Sequence, residues 1–274
     1  MGAINSPFRY AGGKFYARKL IAEHLIESEV YCEPFAGGAS IFFYKEKSKI
    51  NILNDLDSNL MLVYRIIRDN PSALIEVVKS FPYPSKEAHY FYKNEYVPSN
   101  EIEEAGRWFY LNRISYSGIM QMQNCYFGYG DKYSMQPKNW PQNISRTSEK
   151  LQGVELRNTD AIECIHSLPD GALVFVDAPY FNADQDKFYT CFFSREDHYR
   201  LCEAIKSEKE RLKIFITYDN CEEIRQMYSY MPYMYDKEWN YCINRTDDQK
   251  EKKKLEDGHK GKRGKGRELF ILNY

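Results

Sequence analysis

The chain of 274 residues has no long apolar run, no Cys-x-x-Cys pair and no complete Gly-x-Gly-x-x-Gly loop. Without about 18 consecutive apolar residues there is no candidate membrane-spanning helix, and the N-terminus lacks the charged-then-apolar pattern of an export signal. Seven cysteines, an odd number, point to free thiols in a reducing compartment and against a zinc site. The missing dinucleotide fingerprint argues against a nicotinamide dehydrogenase. Histidine is scarce: there are five, and His198 falls in the polar, helix-like stretch 195–210, where packing or exposure accounts for it better than catalysis. These absences leave a chain without membrane, metal or nicotinamide signals, expected in a cytoplasmic, prokaryotic or phage-type setting.

What is present is concentrated in short segments. The run Ala172-Leu173-Val174-Phe175-Val176 reads as a buried parallel strand and ends in Asp177-Ala178-Pro179-Tyr180. Open α/β sheets bind ligands at the carboxyl ends of their strands. A carboxylate, a rigid proline and an aromatic ring arriving there suit a planar ring bearing an amino group. Asp177 and a backbone carbonyl can accept its two N–H bonds while Tyr180 stacks on it. The same tetrapeptide also makes an ordinary strand-ending turn, so alone it decides little. A second strand, Val30-Tyr31-Cys32-Glu33, runs into Pro34-Phe35-Ala36-Gly37-Gly38-Ala39-Ser40 and a helix start from Ile41. Paired glycines between strand and helix let backbone N–H groups approach a cofactor closely. A third strand, Ile50-Asn51-Ile52-Leu53, ends in Asn54-Asp55-Leu56-Asp57. Asp55 is either an acceptor for ribose hydroxyls, at roughly 20 residues past the glycine loop, or the N-cap of a helix beginning near Ser58. Near the N-terminus, Tyr10-Ala11-Gly12-Gly13-Lys14 adds a second glycine pair and a lysine able to meet a carboxylate.

In their order these segments resemble the Dam-like adenine-specific DNA methyltransferases, the alpha group that uses S-adenosylmethionine. Ala-Gly-Gly-Lys comes first, Glu-Pro-Phe-x-Gly-Gly second and Asn-Asp-x-Asp third. Leu111-Asn112-Arg113-Ile114-Ser115-Tyr116-Ser117-Gly118 follows, then Asn158-Thr159-Asp160-Ala161, the Asp-x-Pro-Tyr element and a last strand, Glu268-Leu269-Phe270-Ile271-Leu272-Asn273-Tyr274. The resemblance covers nearly the whole chain and implies a role for each segment. Tyr10, Lys14 and Asp55 would hold the cofactor, Phe35, Gly37 and Gly38 would line its methionine end, and Asp160 would meet its adenine amine. Asp177 would serve both the target amine and the cofactor, with the Ala178 carbonyl and Pro179 beside it. Tyr180 would stack on an adenine flipped out of double-stranded DNA, because the amine is out of reach inside a duplex. No metal is implied.

Two departures from the family pattern carry expectations of their own. Ala178 stands where proline is usual; it keeps the carbonyl, and Pro179 still restricts it to extended backbone, so the expected loss is rigidity worth about 0.4–1 kcal/mol. The usual Asn-Gly-x-Tyr-Arg stretch is altered to Ser117-Gly118-Ile119-Met120-Gln121, and glutamine prefers adenine where arginine grips guanine, so GATC specificity is not expected to transfer. Alternatives are a catalytically inactive DNA-binding relative, a cytosine exocyclic-amine methyltransferase and an RNA adenine methyltransferase. A restriction endonuclease acting on the same site is a possible partner.

The expected fold is α/β, a Rossmann-like methyltransferase sheet with an inserted, mainly helical target-recognition domain. Residues 1–62 and 157–274 would form the catalytic domain and 63–156 the DNA-binding insertion, helical at 101–112 and loop-rich afterwards. Arg113, Tyr116, Gln121 and Gln123 are the insertion's candidate DNA contacts. The net charge of −1 hides an asymmetry: 241–267 holds ten Lys/Arg against five Asp/Glu, while the remainder is acidic. Lys262, Arg263, Lys265 and Arg267, interleaved with glycine, are therefore candidate phosphate contacts, a solvated loop being the alternative.

Overall fold

In the computed structural model residues 2–10, 12–132, 134–183, 190–240 and 265–274 are described. Seven strands form one sheet among them: β1 (Val30–Glu33), β2 (Ile50–Asn54), β3 (Val154–Arg157), β4 (Leu173–Val176), β5 (Lys213–Asp219), β6 (Tyr233–Asn240) and β7 (Lys265–Leu272). Their order is β3-β2-β1-β4-β5-β7-β6. The first five are parallel, and β7 runs antiparallel to both β5 and β6. The chain moves outward from β1 to β3 on one side, then returns to place β4 against β1 and move outward on the other. β1 and β4 therefore flank the topological switch point, where doubly wound sheets open a crevice. The apolar run at 172–176 supplies β4, all but Ala172 lying on the strand, and the α/β Rossmann-like class is the one observed.

Alternation along the strands sorts the core into two faces. Tyr31, Leu53, Phe175, Phe215 and Phe270 face one side, where Phe43, Tyr64, Trp108 and Trp140 complete a single cluster. Cys32, Val174, Val176, Ile214, Ile216 and Ile271 face the other, against Leu201, Ile205 and Ile224. Strands buried on both faces read as unbroken apolar runs, which is why β4 stood out in the sequence.

The helices before β3 are α1 (Arg18–Ala22), α2 (Ser40–Tyr44), α3 (Ser58–Asp69), α4 (Pro71–Ser80), α5 (Lys86–Asn94), α6 (Glu101–Ile114) and α7 (Trp140–Leu151). Between β3 and β6 come α8 (Ala161–His166), α9 (Arg195–Glu208) and α10 (Glu222–Met227). Helix α7 corrects the expectation of a loop-rich stretch after residue 112. Its Asn, Ser and Thr residues mask an apolar stripe at Trp140, Ile144 and Leu151, all buried, and Pro141 occupies its first turn. Helices α3, α4, α6 and α7 pack on one another, and their apolar residues join the cluster beneath the sheet. No helix among the described residues is long and apolar enough to cross a membrane.

Candidate active site

Asp177 leaves the end of β4 at the switch point. Its Oδ1 accepts from Thr217 Oγ1 on β5 at 2.8 Å and lies 2.5 Å from Lys14 Nζ. Lys14 is 4% exposed, donates to the Gly12 carbonyl at 3.1 Å and also lies 4.0 Å from Glu268 Oε2. Its ammonium sits 4.9 Å from the centroid of the Tyr180 ring, close enough for cation–π attraction. The Tyr180 hydroxyl donates to Glu268, which is fully buried in the middle of β7. Asp219, at the end of β5, accepts from Phe181 N at 2.8 Å and Asn182 N at 3.2 Å, fixing the backbone just beyond Tyr180.

The glycine loop after β1 forms the second wall. Gly37 has φ +46°, and a Cβ there would stand 2.8 Å from Tyr10 Cε1, so only glycine lets the tyrosine ring lie on this backbone. The Tyr64 hydroxyl donates to the Gly37 carbonyl at 2.8 Å, and Gly37 N donates to Asp55 Oδ2 at 2.8 Å. Burial pushes the Asp55 carboxyl up to about 6, against the opposing pull of the Asp57 and Gly37 N–H donors. The cap of α3 is Asp57, which accepts from Asn59 N at 2.9 Å and Leu60 N at 3.1 Å. Asp55 is thereby released from the capping role that its position also allowed. Asp160 divides its carboxylate: Oδ1 caps α8 through Ile162 N at 2.8 Å, and Oδ2 lies 3.8 Å from Arg200.

Two adjoining cavities open between these walls. One is bounded by Lys14, Glu33, Gly38, Asp177, Ala178 and Tyr180. The other, of about 170 Å³, is bounded by Asp55, Asp160, Ile162, Pro179 and Phe193. Tyr10, Phe35, Gly37 and Asp177 belong to both. The structure thus brings together every residue expected at the catalytic and cofactor positions. Asp177 stands where the two spaces meet, so a group bound in one can reach a group bound in the other past a single carboxylate.

The expected DNA contacts divide. Tyr116 is half exposed, Gln123 is exposed, and Gln121 turns its Oε1 back to Gln123 N at 2.7 Å. Arg113 is a correction. Residues 105–114 of α6 are enclosed except for Arg107, so its guanidinium has no solvent face; it is 6% exposed and donates to the Pro7 carbonyl at 3.2 Å. Burial lowers its pKa to about 10. Lys262 and Arg263 lie outside the described residues. Lys265 and Arg267 fall within β7, which starts before 268 because β6 pairs with it as far as Asn240 opposite Lys265.

Several residues of the site lie inside the quoted motifs, yet the sequence assigns them no role of their own. Glu33 and Glu268 are acids at the edges of apolar strand segments, an anomaly that burial makes meaningful. Asn112 joins two loops: its Oδ1 accepts from Arg9 N at 3.0 Å, and its Nδ2 donates to Arg9 O at 2.8 Å and Gly118 O at 3.2 Å. His198 is buried packing, as expected. It makes a 2.7 Å bond with the Tyr218 hydroxyl, and burial depresses its pKa to about 4.

Residues 10–243 match the D12 class N6 adenine-specific DNA methyltransferase family. The type II methyltransferase M.CviBI of Paramecium bursaria Chlorella virus NC1A is 26% identical over 97% of this chain and 98% of its own. The DNA adenine methylase of Escherichia coli K12 is 25% identical over 74% of this chain and 76% of its own. The DNA N-6-adenine-methyltransferase of Escherichia phage P1 is 26% identical over 81% of this chain, which spans only 31% of that longer relative. With a family match over most of its length, and the family's order of motifs folded around one crevice, the chain belongs to the D12 class N6 adenine-specific DNA methyltransferases.

Proposed function

We propose that the chain moves a methyl group from S-adenosylmethionine to the exocyclic amine of an adenine extruded from double-stranded DNA, with Asp177 as the central acceptor. The observation that carries this reading is the position of Asp177 on the wall common to both cavities. The residues present fit the cofactor. Gly37 and Gly38 leave backbone bare beneath Tyr10, Asp55 offers a carboxylate for hydroxyls, and Asp160 and Phe193 bound the far end. When bound, S-adenosylmethionine supplies an electrophilic methyl; the protein supplies placement and electrostatics.

The amine of adenine is a poor nucleophile because its lone pair is delocalised into the ring. Asp177 and the Ala178 carbonyl would accept its two N–H bonds, favouring a more pyramidal nitrogen with more charge on it. Tyr180, tethered through its hydroxyl to Glu268, would present a ring of fixed orientation for stacking. Asp177 retains one-fifth of its side-chain exposure, which gives the proton released from the methylated amine a path to water. The helical insertion within 63–156 would recognise the target, with Tyr116, Gln121 and Gln123 at the bases, and the basic segment 241–267 would hold phosphates. The type II designation of the viral relative supports a restriction endonuclease acting on the same site as a partner.

Transfer of tritium from labelled S-adenosylmethionine to mixed-sequence plasmid DNA tests this reading. Label recovered in N6-methyladenine is expected. Label in cytosine, or DNA binding without label, overturns it.

A further inference from the structure

Lys14 presents a problem for the chemistry proposed above. Its ammonium already lies on Asp177 Oδ1 at 2.5 Å, and Thr217 donates to that same oxygen. An ammonium in contact draws charge from a carboxylate and weakens it as an acceptor for an amine. That works against the shift of charge onto the target nitrogen. Lys14 has no route to bulk water from where it stands, since its side chain is 3% exposed. A buried cation that leaves one carboxylate must find another, because an uncompensated buried charge is strongly unfavourable.

A second carboxylate is in range. Glu268 Oε2 is 4.0 Å from the same ammonium, on a side chain with no solvent exposure. Glu268 also accepts the Tyr180 hydroxyl, so it touches both the lysine and the stacking ring. Its place is set by the antiparallel pairing of β7 with β5, which puts it opposite Asp219, the residue that fixes the backbone after Tyr180.

We infer that Glu268 is a positioning residue that receives the Lys14 ammonium when the target base enters, clearing Asp177 to accept the amine. This role rests on the methyltransferase reading above. No bond is made or broken in the exchange; one ion pair replaces another, and the summed charge of Lys14, Asp177 and Glu268 stays constant.

The test is single-turnover methylation by Glu268→Gln, in which the amide keeps an oxygen for the Tyr180 hydroxyl but no longer holds a cation. The expected result is a methylation rate lower by on the order of ten- to a hundredfold, with DNA and cofactor affinities within about twofold of the parent. Glu268→Asp should recover part of the rate. In the double variant Lys14→Met/Glu268→Gln the effects should not multiply, because both changes act on one ion pair. An unchanged rate in Glu268→Gln, or effects that multiply in the double variant, overturns the inference while leaving the methyltransferase reading in place. Fluorescence of 2-aminopurine at the target position separates the remaining explanation: failure of base extrusion in Glu268→Gln would show a merely structural support for Tyr180 and also overturn it. Should the parent protein itself transfer no methyl to adenine, the reading and this role fall together.

Discussion

Glu33 offers the sharpest test of the electrostatics inside the site. It is 2% exposed, and its Oε1 accepts from the Tyr31 hydroxyl at 2.8 Å and from Phe42 N at 2.7 Å. Burial is the largest cause of its raised pKa, which reaches about 8 in spite of those two donors, and the neighbouring Asp177 charge adds to the rise. At neutral pH the folded protein therefore holds Glu33 protonated, while in the unfolded chain it is ionised. The folded state binds the extra proton, so stability falls as pH rises from about 4.5 to about 8 and levels off above. The interval between those two values corresponds to a loss of roughly 5 kcal/mol. Glutamine presents the same outline as a protonated glutamic acid, with a carbonyl for Tyr31 and Phe42 and a donor on the other arm, but has no proton to lose. Glu33→Gln should be more stable than the parent near neutrality, by a margin that widens with pH until about 8. Urea unfolding of both proteins across that range measures the margin, and other titrating groups cancel in the difference. Parallel stability curves, or a variant less stable at high pH, would refute the assignment of a neutral Glu33.

Four further outcomes follow from the geometry. Asp177→Ala should lower single-turnover methylation by about 10²–10³, since it removes the acceptor on which both cavities converge; a near-normal rate would contradict the mechanism. Asp55→Asn should weaken S-adenosylmethionine binding in calorimetry by an amount equivalent to about 1.5–3 kcal/mol. The parent's affinity should itself decline as pH falls below about 6, where the carboxyl protonates, and the variant's should not. Gly118→Ala should lower the melting temperature, because residue 118 has φ +70° and its new Cβ would stand 2.3 Å from the Arg9 carbonyl oxygen. Replacing Lys262, Arg263, Lys265 and Arg267 with glutamine should weaken binding to every DNA sequence alike. It should also flatten the salt dependence, by up to about 0.9 in log–log slope for each phosphate that is no longer neutralised; an unchanged slope would return the segment to a solvated loop.

The parts of this molecule that sequence made legible are those whose meaning is local. Asp177 to Tyr180 follow an apolar run, Gly37 and Gly38 follow another, and each places its own residues at a strand end without reference to the rest of the chain. Partnerships across the sheet were not legible. Glu268 closes on Tyr180 only because β7 pairs with β5 in the register that sets it opposite Asp219, and nothing within either segment states that register. Arg113 was illegible for a related reason: its motif is intact, but the C-terminal half of α6 is covered on every side, and that cover comes from elements distant in the chain.

Asn112 shows what such partnerships achieve. An asparagine amide carries one acceptor and two donors, enough to imitate a peptide group, and here it satisfies both the N–H and the carbonyl of Arg9 together with the carbonyl of Gly118. Arg9 directly precedes Tyr10, whose ring lies on Gly37; Gly118 is two residues from Tyr116, which is half exposed. One side chain of α6 therefore ties the loop of the expected base contacts to the loop of the expected cofactor contacts. The two motifs are separated by about a hundred residues in the chain and by a few hydrogen bonds in the fold. A change at the loop of the expected base contacts is linked, through the hydrogen bonds of Asn112, to the residue that precedes Tyr10.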